Sequence, residues 1–285
     1  MPELTQYLGA IGVELTQEAV LPDLTLLNQI IAAHLKRFPY QNTALYIAGT
    51  KGVGQRTVNS LTADALYTQL ITNKQPGYCF QNIELLAWAL TSLGFQVNRH
   101  LVKLVNKLDD QVAFELLSKE EFSHECLIVE LDNHQWLIDT AYANNSLRTA
   151  LKVIPEQQHI GQEQYRFIFD ENNFYLETRT KEGWFCLYVI DKQPKTKEEI
   201  QVAHQNLIIS PKKFPIRDNF LKMGKVTDEK RKTLVFFKEN KQGFFKSINN
   251  SYYKNKAVSS IEEFAIIAKE KFDITVDDEV KGLFV

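Results

Sequence analysis

Between residues 126 and 190, five short β-prone segments alternate with turn signals, and this run constrains the fold more than any other feature of the chain. CLIVEL (126–131) and HQWLID (134–139) flank Asp132-Asn133, a two-residue hairpin signal. YRFIFD (165–170), FYLETRT (174–180) and WFCLYVI (184–190) follow, with turns at Glu171-Asn172-Asn173 and Lys181-Glu182-Gly183. Links this short join antiparallel neighbours, so the segment reads as a small barrel or a sandwich rather than a parallel sheet.

The residues before it read as helical. Leu24, Leu27, Ile31, Leu35 and Phe38 recur at steps of three and four, with Asp23 as N-cap and Pro39 closing the helix. A second helix is expected over about 61–72, capped by Ser60 or Thr62. A third is expected from Cys79 to about Leu93, with Gly94 beyond its end. After Lys192-Gln193-Pro194-Lys195 the pattern is mixed. It holds a helix over 197–205, a strand in TLVFF (233–237) and an amphipathic helix in 259–272, where Ser260 and Glu263 have capping-box spacing.

Composition excludes several function classes. With 44% hydrophobic and 24% charged residues the chain can bury substantial cores. A formal net charge of −2, without a basic stripe or aromatic platform, gives no footing for nucleic acid. Lys212, Lys213, Lys222, Lys225, Lys230 and Lys232 crowd the C-terminal third. The plain reading is a solvated surface; the sharper one is a rim attracting a phosphorylated cofactor. No apolar run approaches the roughly 20 residues that span a bilayer. The polar first residues lack a signal-peptide pattern. Three scattered cysteines fit a reducing compartment, so a cytoplasmic protein without membrane contact is expected.

Cys79 follows Pro76-Gly77-Tyr78 at the start of a predicted helix, where unpaired N–H groups favour a thiolate and can hold an oxyanion. Taken alone, a small buried hydrophobe is the commoner fate of a free cysteine, and Cys126 and Cys186 sit in apolar strands. His124 and Asp139 change the balance. Reflecting the chain about the Asp132-Asn133 turn sets position 124 opposite about 141, which brings His124 near Asp139 if both share a face. A carboxylate beside an imidazole supports its charged form, and cysteine, histidine and aspartate make a nucleophile, base and orienting group. The plainer alternatives are a solvent-exposed strand-end histidine and an aspartate capping a turn. His34, His134, His159 and His204 are weaker candidates. No cluster has zinc-like spacing and no phosphate-binding glycine loop is present, so no metal is expected.

These residues resemble the arylamine N-acetyltransferases. The family's RGGYCFE-x-N motif is similar to Gln75-Pro76-Gly77-Tyr78-Cys79-Phe80-Gln81, followed by a helix ending in Leu93-Gly94-Phe95. Its P-F-E-N-L resembles Pro39-Tyr40-Gln41-Asn42-Thr43, and its H-x-x-L-x-V resembles the segment from His124 to Val129. Its L-V-D-V-G-F-G resembles Leu137-Ile138-Asp139-Thr140-Ala141-Tyr142-Ala143, and the stretch from Asn206 to Phe214 resembles the approach to a substrate-lining aromatic.

The resemblance implies an α+β fold with a cysteine-protease-like catalytic core. Its parts would be an N-terminal helical bundle (1–94), a central antiparallel β-barrel (95–193) and a C-terminal α/β lid (194–285). It further implies Cys79, His124 and Asp139 as the catalytic triad, with acetyl-CoA as donor, an arylamine or hydrazine as acceptor and a ping-pong reaction. Tyr40, Phe80 and Phe214 would line the acceptor pocket, although each could equally be core packing.

Among the departures from these motifs, five bear on charge or backbone freedom near the catalytic residues. Gln75, Gln41 and Gln81 replace an arginine and two glutamates, a joint change that leaves no unpaired charge behind. Ala141 and Ala143 replace glycines, and their methyls could narrow the cleft or oppose a positive-φ turn. Rival readings are an amide synthase or acyltransferase using another thioester, thiol hydrolysis of the transglutaminase-like kind, and a retired scaffold that only binds.

Overall fold

The computed structural model describes residues 3–14, 21–108, 121–249 and 253–284. The N-terminal segment holds α1 (Leu4–Ile11), α2 (Leu24–Arg37), α3 (Thr43–Thr50), α4 (Ala63–Tyr67) and α5 (Cys79–Ser92). Asp23 caps α2 as expected, its carboxylate accepting the Leu26 N–H at 2.7 Å. Gly94 takes φ +89 after α5, a conformation that favours glycine at this position.

The helix expected over 61–72 is shorter. It ends at Tyr67 and continues as a π-turn from Thr68 to Thr72, with Asn73 N–H bonded to Thr68 O. Lys74 then takes φ +53, and the chain turns back to deliver Pro76 and Gly77 to the start of α5. A Cβ at Gly77 would sit 2.8 Å from Asn82 Oδ1 and 3.0 Å from Leu70 Cδ2, so any larger residue here would have to push these side chains aside.

The central segment is one antiparallel sheet. Its strands are β2 (Gln96–Leu108), β3 (His124–Leu131), β4 (His134–Ile138), β5 (Leu151–Lys152), β6 (Gln158–Ile160), β7 (Glu163–Phe169), β8 (Asn173–Arg179) and β9 (Trp184–Asp191). The order β5-β4-β3-β2-β9-β8-β7-β6 curls into a nearly closed barrel, which decides between barrel and sandwich. Asp132 and Asn133 have φ of +51 and +59, the backbone demanded by a two-residue hairpin with the strand twist. Alternation along β3 divides two cores. Leu127 and Val129 pack against the helices, while Cys126 and Ile128 fill the barrel with Leu137, Phe167 and Leu176.

The C-terminal segment contains α6 (Lys197–Ile209), α7 (Pro215–Asp218), β10 (Phe220–Val226), β11 (Arg231–Phe237), β12 (Gly243–Ile248), β13 (Tyr253–Val258), α8 (Ile261–Phe272) and α9 (Asp278–Gly282). The first of these helices runs four residues past the expected 205, because Leu207 and Ile208 are buried in the helical core. Leu221, Met223, Leu234, Phe236 and Phe264 form a third core between this sheet and its helices. Of the five strands in this sheet, sequence reading placed only TLVFF, which falls in β11. Tyr40–Gln41 (β1) pairs with β10, so the N-terminal segment contributes an edge to the C-terminal sheet.

Candidate active site

Cys79 is the first residue of α5, and its side chain is 3% exposed. The hairpin turn sets Leu127 opposite Ile138, and the same register carries His124 to the level of Ala141. His124 opens β3 on the same face as Cys126 and Ile128, and Asp139 follows the last residue of β4. His124 Nε2 stands 2.8 Å from Asp139 Oδ2, and both side chains are buried. Asp139 Oδ1 accepts the Ala141 N–H at 3.0 Å, which fixes the carboxylate plane. With Nε2 taken by aspartate, Nδ1 is the nitrogen left to hydrogen-bond Cys79. Cys79 Sγ also lies 3.8 Å from Ser123 O, on the residue before the histidine.

Burial alone would lower the pKa of His124. The Asp139 carboxylate and its hydrogen bond, helped by the hydrogen bond to Cys79, reverse that and push it up to about 10. The imidazole is therefore protonated at neutral pH and can face a thiolate. The arrangement suits nucleophilic attack by sulfur on a carbonyl, with the N–H groups of the first turn of α5 available to an oxyanion.

Cys79 and His124 line a cavity of about 600 Å³, with Asp139 bonded to His124 behind its wall. Asn106 on β2 forms one wall; it bonds the Tyr142 hydroxyl at 2.6 Å and takes φ +57 at a strand bulge. Ala141 and Ala143 form another. The C-terminal segment supplies Lys212, Lys213, Phe214, Pro215, Ile216, Phe220 and Lys222, and β1 supplies Tyr40. Among the described residues, no group of three or more His, Cys, Asp or Glu could hold a metal ion. No described helix is long and apolar enough to cross a membrane.

The profile of the N-acetyltransferase family matches residues 23–280. The chain belongs to the arylamine N-acetyltransferase family. The arylamine N-acetyltransferase of Mycolicibacterium smegmatis is 25% identical over 234 residues, covering 81% of this chain and 79% of that protein. Among solved structures, the Mycobacterium tuberculosis enzyme superposes with a TM-score of 0.80 at 18% identity, over 99% of each chain. The Mycobacterium marinum arylamine N-acetyltransferase in complex with CoA does so with a TM-score of 0.80 at 18% identity, over 99% of this chain and 98% of that one.

In this arylamine N-acetyltransferase family member, Tyr40 and Phe214 line the cavity with Cys79, but Phe80 does not. Phe80 is wholly buried and packs against His204 at 5.3 Å between ring centroids. One residue along a helix turns the side chain by about 100°, so the neighbour of a cleft-facing Cys79 points into the core. Two of the three glutamines in charged family positions form neutral contacts. Gln81 Nε2 donates to Gln69 Oε1 at 2.7 Å, and Gln41 Nε2 donates to Pro76 O at 2.9 Å. Gln75 is exposed.

Ala143 adopts φ +51 despite its methyl group, and the residue packed against it is Gly224. A Cβ on Gly224 would come within 2.6 Å of the Ala143 backbone, so the glycine needed at this contact lies on β10.

Sequence reading missed Asn42, Glu125 and Lys222. Asn42 is buried and donates to Ile216 O and Phe220 O while accepting from the Lys222 N–H, which ties the N-terminal segment to the C-terminal wall of the cavity. Glu125 points away from His124 toward α5. Its burial, together with the neighbouring Glu84, pushes its carboxyl well above the usual range, so it is a neutral acid beneath the helix that carries Cys79. Lys222 belongs to the lysines read as solvated surface; the alternation Phe220, Lys222, Gly224 turns it into the cavity instead.

Proposed function

We propose that this protein transfers an acetyl group from acetyl-CoA to an arylamine or hydrazine through a thioester on Cys79. The observation that carries the reading is the buried His124–Asp139 pair at 2.8 Å, with His124 and Cys79 together in the wall of the cavity.

Cys79 and His124 start as a thiolate–imidazolium pair, which Asp139 keeps oriented and charged. The thiolate attacks the thioester carbonyl of acetyl-CoA, forming a carbon–sulfur bond to the enzyme. The oxyanion is held by N–H groups at the start of α5. Collapse breaks the bond to the CoA sulfur, which leaves as a thiol with the proton from His124. The acceptor nitrogen then attacks the acetyl-Cys79 carbonyl, His124 takes its proton, and Cys79 departs as thiolate. Tyr40 and Phe214 provide apolar surface for an aromatic acceptor. The phenol of Tyr40 is held neutral, because burial and the nearby Cys79 raise its pKa.

A two-step reaction through a covalent enzyme gives parallel double-reciprocal plots when initial rates are measured against both substrates. Intersecting lines would contradict the thioester route and favour direct transfer in a ternary complex.

A further inference from the structure

The cavity carries an ammonium group that no described residue in its walls neutralises. Lys222 lies on β10 with its side chain on the same face as Phe220, opposite the core residues Leu221 and Met223. Its backbone is fixed on both sides, since its N–H donates to Asn42 Oδ1 at 2.6 Å and its C=O accepts the Asn42 N–H at 3.2 Å. Its Nζ has no hydrogen-bond or ion-pair partner among the described residues. The one carboxylate lining the cavity among those residues, Glu121, is paired with Lys212. Crowding by protein, without a counter-charge, lowers the Lys222 pKa to about 8. A lysine placed this way is costly to the fold unless something entering the cavity relieves it.

We propose that Lys222 is a specificity residue that receives a carboxylate on the substrate, in the same cavity as Cys79. The inference rests on the reading of this cavity as the acyl-transfer site and narrows its substrate class. The carboxylate has two possible sources. One is an aromatic amine acid, whose ring would lie along Tyr40, Phe214 and Phe220. The other is the free carboxylate of a dicarboxylic monoacyl thioester. In either case an ion pair forms inside a walled cavity, where a charged hydrogen bond outweighs one in open water.

Two measurements on the full chain separate the sources, each comparing wild type with Lys222→Met and Lys222→Arg. The first titrates 4-aminobenzoate and its methyl ester calorimetrically. The second follows acyl loading of Cys79 by intact mass with acetyl-CoA and with malonyl-CoA, which adds one carboxylate to the acetyl group.

In at least one arm, wild type should favour the carboxylate probe. That ratio should fall about tenfold or more in Lys222→Met and be largely kept in Lys222→Arg, as expected for a charge-assisted hydrogen bond. The arm that responds names the source. Equal ratios in wild type and Lys222→Met in both arms would overturn the proposal. So would a loss confined to CoA affinity, which would put the lysine on the donor's phosphates. The titration needs no chemistry at Cys79. If neither thioester loads the enzyme while the aminobenzoate ratio responds to Lys222→Met, the transfer reading fails and the carboxylate site stands.

Discussion

Asp139 holds two groups at once, the His124 imidazole through Oδ2 and the Ala141 N–H through Oδ1. This double duty makes it the residue through which the charge state of the site is set. Replacing it with asparagine keeps the shape and removes the charge, so burial becomes the dominant influence on His124 and its pKa should drop below the ordinary value. Acyl loading of Asp139→Asn at neutral pH should slow by roughly a hundredfold or more, measured as single-turnover loading.

Stability should follow the same charge. The folded-state pKa of His124 is raised, so the stabilisation from its protonation is complete below about 6.5 and is lost as pH rises through about 10. Urea midpoints of wild type should therefore decline between those values relative to Asp139→Asn. Parallel curves for the two proteins would show that His124 is not charged in the fold.

At the scale of elements, the site depends on how separate segments are joined. The 124–139 hairpin needed only local information, because a two-residue turn fixes register by counting and both residues fall on one face. The α5 N-terminus was equally legible from Pro76-Gly77 and the apolar stripe behind Cys79. Lys222 and β1 were not. Their positions follow from β10 pairing with a two-residue strand some 180 residues earlier, and no local pattern encodes that contact. Phe80 failed for a related reason, since motif spacing marks a residue as near the nucleophile without saying which way a helix turns it.

Asn42 is the joint between these segments, with three side-chain hydrogen bonds to the backbone of residues 216–222. Asn42→Ala should cost about 3 kcal/mol in urea denaturation, because it leaves buried backbone groups unpaired. It should also raise the KM for the acceptor more than it lowers the loading rate of Cys79. A change below about 0.5 kcal/mol would mean that the joint is redundant.

For the whole molecule, the cavity lies between helices packed on the outside of the barrel, the barrel itself, and the face of β10 turned away from the core of the C-terminal sheet. The architecture was readable as an order of segments, helical, then antiparallel, then mixed. How the third segment closes over the first two was not, because it rests on long-range contacts. The Glu163–Arg231 ion pair between β7 and β11 is one, and Asn42 is another.

The central claim is that Cys79 carries the acyl group, and intact mass of the protein after incubation with acetyl-CoA alone tests it most directly. Wild type should gain one hydroxylamine-labile acetyl group and Cys79→Ala none. An unmodified wild type, or an equal adduct on Cys79→Ala, would contradict it.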